Sequence, residues 1–394
     1  MKLTRLKLAV VGLVFAAAAT GEVYMAGAAG AGMEPGGYAY TLNNDGQQNG
    51  VAVLARGTNG ALTEVAGSPF ATGGKGLVVP VGGDFDAQGS VRIHGRFLLA
   101  VNPGSNSVAV LAIGEGGRLA PVPGSPFPSG GITPLSVSAS GDLVYIANQA
   151  IDFAMPNRAP NITGFRMSAD GRLSPIAGST IEFPAGQGPA QVEFAPSGAV
   201  LAVTAGFQTD GRIHAFAVQP DGTLKPGPGS PFVTREVSGT VGFSWSADGR
   251  RLLVSNFRGS AMTVFNVDGK TAAIEPLGSA YPNGGGAACW TALSPDGKTL
   301  YTGNFVGNSV SAYAVNADGT LTLLGTMPRR GAAKPDTKDI TVSPDGKYLY
   351  AVGPVGRQIA VFEIGADRLP RELGAAQSPY AVPSGQWTTG LAVN

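Results

Sequence analysis

Short apolar runs separated by turn-forming residues follow one another along the chain from residue 36 onwards. Leu-Leu-Ala-Val at 98–101 and Thr-Leu-Tyr at 299–301 are typical, and each run follows a glycine-containing turn. Such runs predict β-strands that are entered from tight turns. No stretch after residue 36 keeps the 3.6-residue period of an amphipathic helix, which excludes a helical solenoid.

The turns recur along the chain at similar intervals. The glycine of Ser-Pro-Asp-Gly at 294–297 has counterparts throughout, and the set is Gly36, Gly95, Gly141, Gly198, Gly249, Gly297 and Gly346. Their separations run from 46 residues (Gly95 to Gly141) to 59 residues (Gly36 to Gly95). Seven residues after these glycines stand Asn43, Asn102, Asn148, Ala205, Asn256, Asn304 and Gly353. Asparagine at this fixed offset in five of seven cases indicates a structural repeat.

Each repeat contains four predicted strands. A third apolar run, such as residues 51–54, is followed by an Asp-Gly turn such as Asp221-Gly222, which supplies the positive φ of a tight hairpin. The fourth run leads towards Gly-Ser-Pro-Phe at 67–70, 124–127 and 229–232. Proline suits an outer edge strand because it removes a ladder donor. The sequence therefore predicts an all-β fold, a seven-bladed β-propeller of four-stranded antiparallel blades.

One strand is missing from the first blade and one is left over at the end of the chain. Blade 1 starts at its second strand, residues 38–41, and the apolar residues 388–393 have no blade of their own. We therefore expect the C-terminal strand to become the innermost strand of blade 1 and to close the ring. The propeller is predicted to span residues 32–394.

Composition narrows the classes of function. The 394 residues include 27 Lys+Arg and 26 Asp+Glu, and a net charge of +1 gives no electrostatic footprint for nucleic acid. The single cysteine, Cys289, excludes an internal disulfide, and with only 2 histidines a Cys/His metal site is not expected. We predict no metal, no cofactor and a monomeric protein.

The first 31 residues have the pattern of a targeting segment. Lys2, Arg5 and Lys7 precede an apolar run at 8–19, which is the length of a signal-peptide core and short for a bilayer span. Small residues follow, so residues 1–31 are predicted to be a signal peptide and a small-residue linker. The protein is then exported, to the periplasm or the medium. The alternative is an uncleaved N-terminal anchor, and no later segment is apolar for long enough to span a membrane.

The repeats resemble the lactonase family of seven-bladed β-propellers, which includes 6-phosphogluconolactonase-like and carboxymuconate-cyclase-like proteins. The resemblance rests on Leu-Ser-Pro-Asp-Gly-Lys-Thr-Leu-Tyr (293–301), Val-Ser-Pro-Asp-Gly-Lys-Tyr-Leu-Tyr (342–350) and Gly-Pro-Ala-Gln-Val-Glu-Phe (188–194). It covers roughly residues 38–394 and implies hydrolysis of a lactone.

The chain departs from the family where catalysis is concerned. The resemblance places Arg-His directly after Gly188-Pro189, and here Ala190 and Gln191 stand at those positions. The family carboxylate of the next strand is not matched either, since Thr-Ala-Gly occupies 204–206. The catalytic residues therefore stay unassigned at this stage.

Loop lengths indicate which face of the ring binds a ligand. The loops between second and third strands lie on the same face as the connections between blades, which we call the insertion face. Most of these loops resemble Asn304 to Val310, but the blade 3 loop runs from Asn148 to Ile162, and the connection at 71–88 is also long. Loops at one end of a rigid scaffold are where binding usually occurs. We therefore expect the binding site on the insertion face.

The candidate ligand-binding residues surround the channel mouth on that face. They are Gln88, Ser136, Arg158, Gln191, His214, Cys289, Trp290, Lys338 and Asp339. Such a rim suits a polar ligand that is uncharged or weakly charged. The alternative is that these residues only line or plug the channel, because propeller channels are polar by default.

Neither the two histidines nor the cysteine, taken singly, indicates a catalytic group. His94 occupies a hairpin turn on the face opposite the insertions, and His214 is bulky where the other blades have small residues, which favours a structural role over a general base. Cys289 next to Trp290 is more typical of packing than of a nucleophile.

Two functions remain open. The first is a lactonase-like hydrolase acting on a small lactone. The second is a non-catalytic envelope or secreted propeller that binds a small polar ligand, or a protein partner on its inserted face.

Overall fold

The computed structural model describes residues 36–77, 87–150, 159–207, 210–234, 238–330, 336–353, 358–374, 378, 380–381, 386 and 388–394. Within these ranges the chain forms seven antiparallel sheets. The regular helical structure there consists of two single-turn 3₁₀ segments, Pro103–Ser105 and Glu115–Gly117. The predicted seven-bladed β-propeller is confirmed.

Every blade has the same strand order from the channel outwards. From blade 1 to blade 7, the innermost strands are Thr389–Val393, Val91–His94, Pro134–Ser140, Gln191–Phe194, Thr240–Trp245, Ala288–Leu293 and Ile340–Val342. The second strands are Tyr38–Leu42, Phe97–Asn102, Leu143–Asn148, Val200–Ala205, Arg251–Asn256, Thr299–Asn304 and Tyr348–Gly353. The third strands are Gly50–Arg56, Ser107–Ile113, Asn161–Met167, Gly211–Val218, Ala261–Val267, Ser309–Val315 and Gln358–Ile364.

The outer strand is interrupted in blades 1 to 5. Its two pieces are Leu62–Glu64 and Phe70–Ala71, Leu119–Pro121 and Phe127–Pro128, Leu173–Pro175 and Ile181–Glu182, Leu224–Pro226 and Phe232–Thr234, and Ile274–Pro276 and Tyr281–Pro282. Blade 6 has one continuous outer strand, Leu321–Pro328, and blade 7 has Pro370–Glu372. At the interruption a serine hydroxyl replaces the ladder: Ser68 Oγ accepts from the Val53 amide at 3.0 Å. Ser125 and Ser230 repeat this contact in blades 2 and 4. The fourth strand thus leads to Gly-Ser-Pro-Phe, as predicted, and the Gly-Ser-Pro part forms the interruption.

The Ser-Pro-Asp-Gly turns join the innermost strand to the second strand, on what we call the hairpin face. In blade 6, Ser294 Oγ donates to Asp296 Oδ1 at 2.6 Å, and the same oxygen accepts from the Lys298 amide at 3.0 Å. Gly297 has φ +70°, which an L side chain rarely adopts. The hydrogen bond from Ser294 also lowers the pKa of Asp296. These carboxylates are turn residues.

In blades 2, 3 and 6 the repeated asparagine forms hydrogen bonds to the preceding blade. Asn102 Oδ1, in blade 2, accepts hydrogen bonds from Asn49 Nδ2 at 3.0 Å and Thr72 Oγ1 at 2.6 Å, both in blade 1. In blade 6, Asn304 Oδ1 accepts from Asn283 Nδ2 at 2.8 Å. These side chains are fully buried, so the fixed Asn offset reflects packing between blades and not chemistry.

The C-terminal strand closes the ring, as predicted. Thr389–Val393 pairs antiparallel with Tyr38–Leu42. Thr41 Oγ1 donates to the Gly390 carbonyl at 2.7 Å, and the Asn394 amide donates to the Tyr38 carbonyl at 3.0 Å. The two ends of the described chain are therefore neighbours within one sheet.

The predicted signal peptide and linker at 1–31 lie outside the described residues, as does Arg158 in the blade 3 insertion. In the portion that the structure describes, no helix is long and apolar enough to cross a membrane.

Candidate functional site: the central channel

The channel contains a cavity of about 480 Å³. Its walls come from the innermost strands of blades 1, 2, 4, 5, 6 and 7. The innermost strand of blade 3 does not line the cavity. Residues 87–90, which lead into blade 2, run in front of it, and the Val137 amide donates to the Gly89 carbonyl at 2.8 Å. Six innermost strands and residues 87–90, which we call the crossing segment, therefore surround the cavity.

A charged pair faces this cavity. Arg92 of blade 2 and Glu193 of blade 4 form an ion pair with Nη1 and Oε1 3.2 Å apart, in front of the covered blade 3. Glu193 Oε2 accepts from Gln191 Nε2 at 2.8 Å. The two charged side chains are 31% and 25% exposed. Both are held in place and still accessible to a small molecule.

The opposite wall carries hydroxyl groups and a second carboxylate. Ser244 Oγ and Thr291 Oγ1 are hydrogen-bonded to one another at 2.8 Å. Thr341 and the buried Asp339 of blade 7 also line the cavity. Polar groups therefore converge from five blades on a space that suits a small polar molecule.

Two of the predicted residues, Gln191 and Gln88, connect blades through side-chain hydrogen bonds to the backbone. Gln191 exchanges two hydrogen bonds with the backbone of Phe243 in the next blade, at 3.0 and 2.8 Å. Gln88 does the same with the backbone of Thr291, at 2.6 and 3.2 Å. In both cases the carboxamide bonds to the backbone through its donor and its acceptor, as a paired strand would. Gln88, Gln191 and Asp339 all line the cavity.

The other predicted residues that the structure describes do not line it. Ser136 is fully buried and accepts from the Val192 amide at 3.2 Å, joining blades 3 and 4. Cys289 and the fully buried Trp290 belong to an aromatic cluster on the insertion side. We define this aromatic cluster as Ala190, Val241, Cys289, Trp290, Phe207, Phe257 and Phe305. Lys338 lies with Nζ 4.0 Å from the centre of the Phe305 ring.

The two histidines are also away from the cavity. His214 packs against Phe183 and Phe216, with ring centres 4.7 and 6.0 Å away, and its Nε2 has no hydrogen-bond partner among the described residues. His94 Nε2 lies 2.9 Å from the Gly141 carbonyl and joins two turns of the hairpin face. Neither can act on a molecule held by Arg92 and Glu193.

We expect His214 to make stability depend on pH. Burial, assisted by the charge of Arg212, lowers its pKa from 6.5 to about 4. Between those values the unfolded chain binds a proton that the folded protein does not, so stability falls as the pH falls through this window. The free energy of unfolding should drop by about 2 kcal/mol between about pH 7.5 and pH 5.

Thermal or urea unfolding at the two pH values measures this loss. His214→Phe keeps an aromatic ring beside Phe183 and cannot titrate, so its stability should change less across the window. An equal loss in both proteins would show that His214 is not the responsible group.

Arg92 and Glu193 were not among the sequence candidates, although the repeat contains a signal for both. Glu193 pairs with the third residue of its second strand, and at this position blades 3, 5, 6 and 7 have the small residues Ser138, Ser244, Ala292 and Thr341. Arg92 occupies the same register position in blade 2. A charged residue at a repeat position that is otherwise small identifies each one. The described residues contain no group of three or more His, Cys, Asp or Glu that could hold a metal ion.

Comparison with known proteins supports the resemblance inferred from the motifs. A sequence model of the lactonase family of seven-bladed β-propellers matches residues 285–389. A candidate 6-phosphogluconolactonase from Bacteroides fragilis has a similar structure, with TM-score 0.71 and 20% identity, covering 91% of this chain and 98% of that one. A second candidate 6-phosphogluconolactonase, from Bacteroides uniformis, gives TM-score 0.71 and 19% identity over 91% and 99% of the two chains.

A periplasmic gluconolactonase from Pseudomonas aeruginosa is also similar, with TM-score 0.69 and 18% identity over 90% and 98% of the two chains. No curated protein matches the chain in sequence. At these identities the structural likeness shows the fold. The chain thus resembles the lactonase family of seven-bladed β-propellers in its motifs, in the matched segment and in its architecture.

Proposed function

We propose that this lactonase-like propeller hydrolyses a small lactone in its central cavity, with Glu193 as general base. The observation that carries the proposal is the Arg92–Glu193 pair, which faces a cavity of about 480 Å³. The resemblance to the lactonase family supplies the substrate class. The pair supplies a base and a positive charge without the Arg-His motif that is absent at Ala190 and Gln191.

Glu193 is placed to activate water. Its two oxygens accept one hydrogen bond each, from Arg92 and Gln191, and a carboxylate has about four acceptor directions, so a water can still donate to it. In the reaction Glu193 takes a proton from this water, and the oxygen attacks the lactone carbonyl. The ring C–O bond then breaks, and the proton on Glu193 passes to the leaving ring oxygen. The product is a hydroxy acid.

Arg92 is placed to stabilise the developing negative charge. Its guanidinium has five N–H donors, and Nη1 is used by Glu193. Its buried Nε has no hydrogen-bond partner among the described residues. Other N–H groups of the guanidinium therefore remain as donors for the oxyanion that forms on the carbonyl oxygen.

The charge balance of the cavity favours a neutral lactone. The described lining residues include one cation, Arg92, and two carboxylates, Glu193 and Asp339. A phosphate ester on the substrate would add two negative charges to a site in which the one described cation, Arg92, is already paired with Glu193. We therefore expect kcat/KM for a neutral sugar lactone to exceed that for its phosphate ester by at least about tenfold. Equal values for the pair would contradict this preference.

A second candidate is binding without turnover, and one observation favours it. Both oxygens of Glu193 already accept a hydrogen bond, from the Arg92 guanidinium and the Gln191 amide, and these compete with a water for the carboxylate. In that case the same cavity retains a small polar ligand.

We also propose export to the periplasm or the medium, because residues 1–31 have the basic start and short apolar run of a signal peptide.

A panel of lactones assayed by pH-stat, together with calorimetry on the same compounds, tests the function. Acid release that saturates with lactone concentration supports hydrolysis. Binding without acid release supports the second candidate. Neither binding nor acid release with any small lactone or hydroxy acid would overturn both. His214→Phe is the matched control, since it lies outside the cavity.

A further inference from the structure

We propose that a ligand reaches the Arg92–Glu193 pair only from the hairpin face, because residues that the structure describes close the insertion side of the cavity. We call the closing layer the floor, and it consists of the Gln88 and Gln191 carboxamides together with the aromatic cluster. The inference rests on the proposed function only in taking this cavity as the ligand site. It places access on the face opposite the long loops.

Gln88 forms the central part of the floor. It precedes the innermost strand of blade 2, and its partner Thr291 is in the innermost strand of blade 6. These blades are not neighbours in the ring, so the two hydrogen bonds of 2.6 and 3.2 Å cross the channel. Donor and acceptor of the carboxamide are both used, which fixes its orientation across the opening.

The aromatic cluster fills the insertion side beside blades 4, 5 and 6. Trp290 is fully buried and lies against Phe207, with ring centres 6.1 Å apart and nearly perpendicular. Ala190 and Val241 complete the contact and are 0% and 1% exposed. Ala190 stands where the resemblance places the arginine of Arg-His, so an apolar contact occupies the level at which that motif would act. An apolar cluster of this kind offers no hydrogen-bonding path to a polar ligand beside these three blades.

Exposure along the cavity walls increases in the opposite direction. Gln191 and Asp339, at the level of the floor, are 1% and 3% exposed, and the bridging Gln88 is half-buried. Towards the hairpin face, Glu193 and Ile93 are half-buried, and Pro196 in the turn of blade 4 is exposed. All of these residues line the cavity. The described walls thus open at the turns between innermost and second strands.

Paired cysteine variants can test the route. In a Cys289→Ser background, Pro196→Cys places one thiol at the hairpin rim, and Val306→Cys places one on the insertion face, where Val306 is 64% exposed. Each is labelled with a maleimide that carries a bulky polyethylene glycol chain. The readout is acrylamide quenching of Trp245, which lines the cavity, obtained as the difference from matched Trp245→Phe proteins. This measures access and does not depend on hydrolysis.

The label at Pro196→Cys should lower the quenching constant of Trp245 by at least about threefold, because it covers the opening of a cavity of this size. The label at Val306→Cys should leave the constant unchanged. Gln88→Ala, added to labelled Pro196→Cys, should restore quenching through the opened floor. Gln88→Asn, one methylene shorter, breaks the same bridge if the alanine variant does not fold.

The proposal is overturned if the Val306→Cys label reduces quenching as much as the Pro196→Cys label, or if neither label has an effect. Its failure is distinct from failure of the proposed function. Loss of lactone turnover with a shielded Trp245 leaves the route intact. If the label at Val306→Cys blocks lactone turnover, the result supports hydrolysis as the function and refutes the proposed route.

Discussion

Removal of residues 389–394 should abolish the cooperative unfolding transition of the propeller. The deletion exposes the edge of Tyr38–Leu42 and removes Leu391 from a core that also contains Ala39 and Tyr350. It also leaves Thr41 Oγ1 without its acceptor at the Gly390 carbonyl. The combined loss of ladder, side-chain bond and apolar burial is of the order of the whole stability of a typical domain, about 5–15 kcal/mol. Calorimetry and urea unfolding measure it.

The ring offers a matched control for this deletion. Asn394 lies beside Tyr38 in the same way that His94 lies beside Phe97 in blade 2, where one hairpin joins the two strands. A circular permutant that starts with residues 388–394 joined directly to Gly36, in place of residues 1–35, should therefore regain a cooperative transition. A truncated protein that melts like the full chain would show that the strand does not close the ring.

Glu193→Gln should lower kcat for lactone hydrolysis by a factor of about 10²–10⁴, with a small change in KM. The amide has the shape of the carboxylate but cannot accept the proton from water. It also loses its charge partnership with Arg92, which is 3.2 Å away. Initial rates by pH-stat over a range of lactone concentrations separate kcat from KM.

The control for this substitution is the same chemical change far from the channel. Glu182 is exposed on the outer strand of blade 3, and Glu182→Gln should keep the wild-type rate. Gln191→Ala removes one hydrogen bond to Glu193 and the bridge to Phe243, so we expect a moderate loss of both activity and stability. Full activity in Glu193→Gln would exclude it as the base.

The fold could be predicted from the sequence because each blade repeats the same local chemistry. Gly297 needs a positive φ, Asp296 binds its own turn, and the serine of Gly-Ser-Pro-Phe binds the neighbouring strand. These are short-range requirements, so they appear as motifs. The unpaired residues 388–393 then left one place for the last strand.

The site was only partly predictable, for a reason of geometry. The first residues of the inner strands could be located, and Gln88, Gln191 and Asp339 do line the cavity. The contact of Gln88 with Thr291, by contrast, joins positions 203 residues apart, and no local pattern encodes it. Arg92 and Glu193 come from blades that are not adjacent, so their pairing depends on how the crossing segment covers blade 3.

The repeated asparagine also shows that contacts between blades cannot be predicted from the local sequence. Its fixed offset was visible, but its partners, such as Thr72 for Asn102, lie in the preceding blade. The glycines beside these partners are explained only by packing. A Cβ on Gly74 would meet the Asn102 side chain at 2.4 Å, and one on Gly285 would meet Asn304 at 2.5 Å.

The interrupted outer strands have a consequence for how copies of this protein meet in a crowded solution. In blades 1 to 5 the outer edge is split into pieces of two or three residues, and proline removes donors from several of them. Such an edge cannot template the addition of a strand from another chain. Blade 6 differs, because Leu321–Pro328 runs for eight residues and leaves Leu323 40% exposed. Self-association by edge-to-edge pairing would therefore start at blade 6, whereas blades 1 to 5 are protected against it.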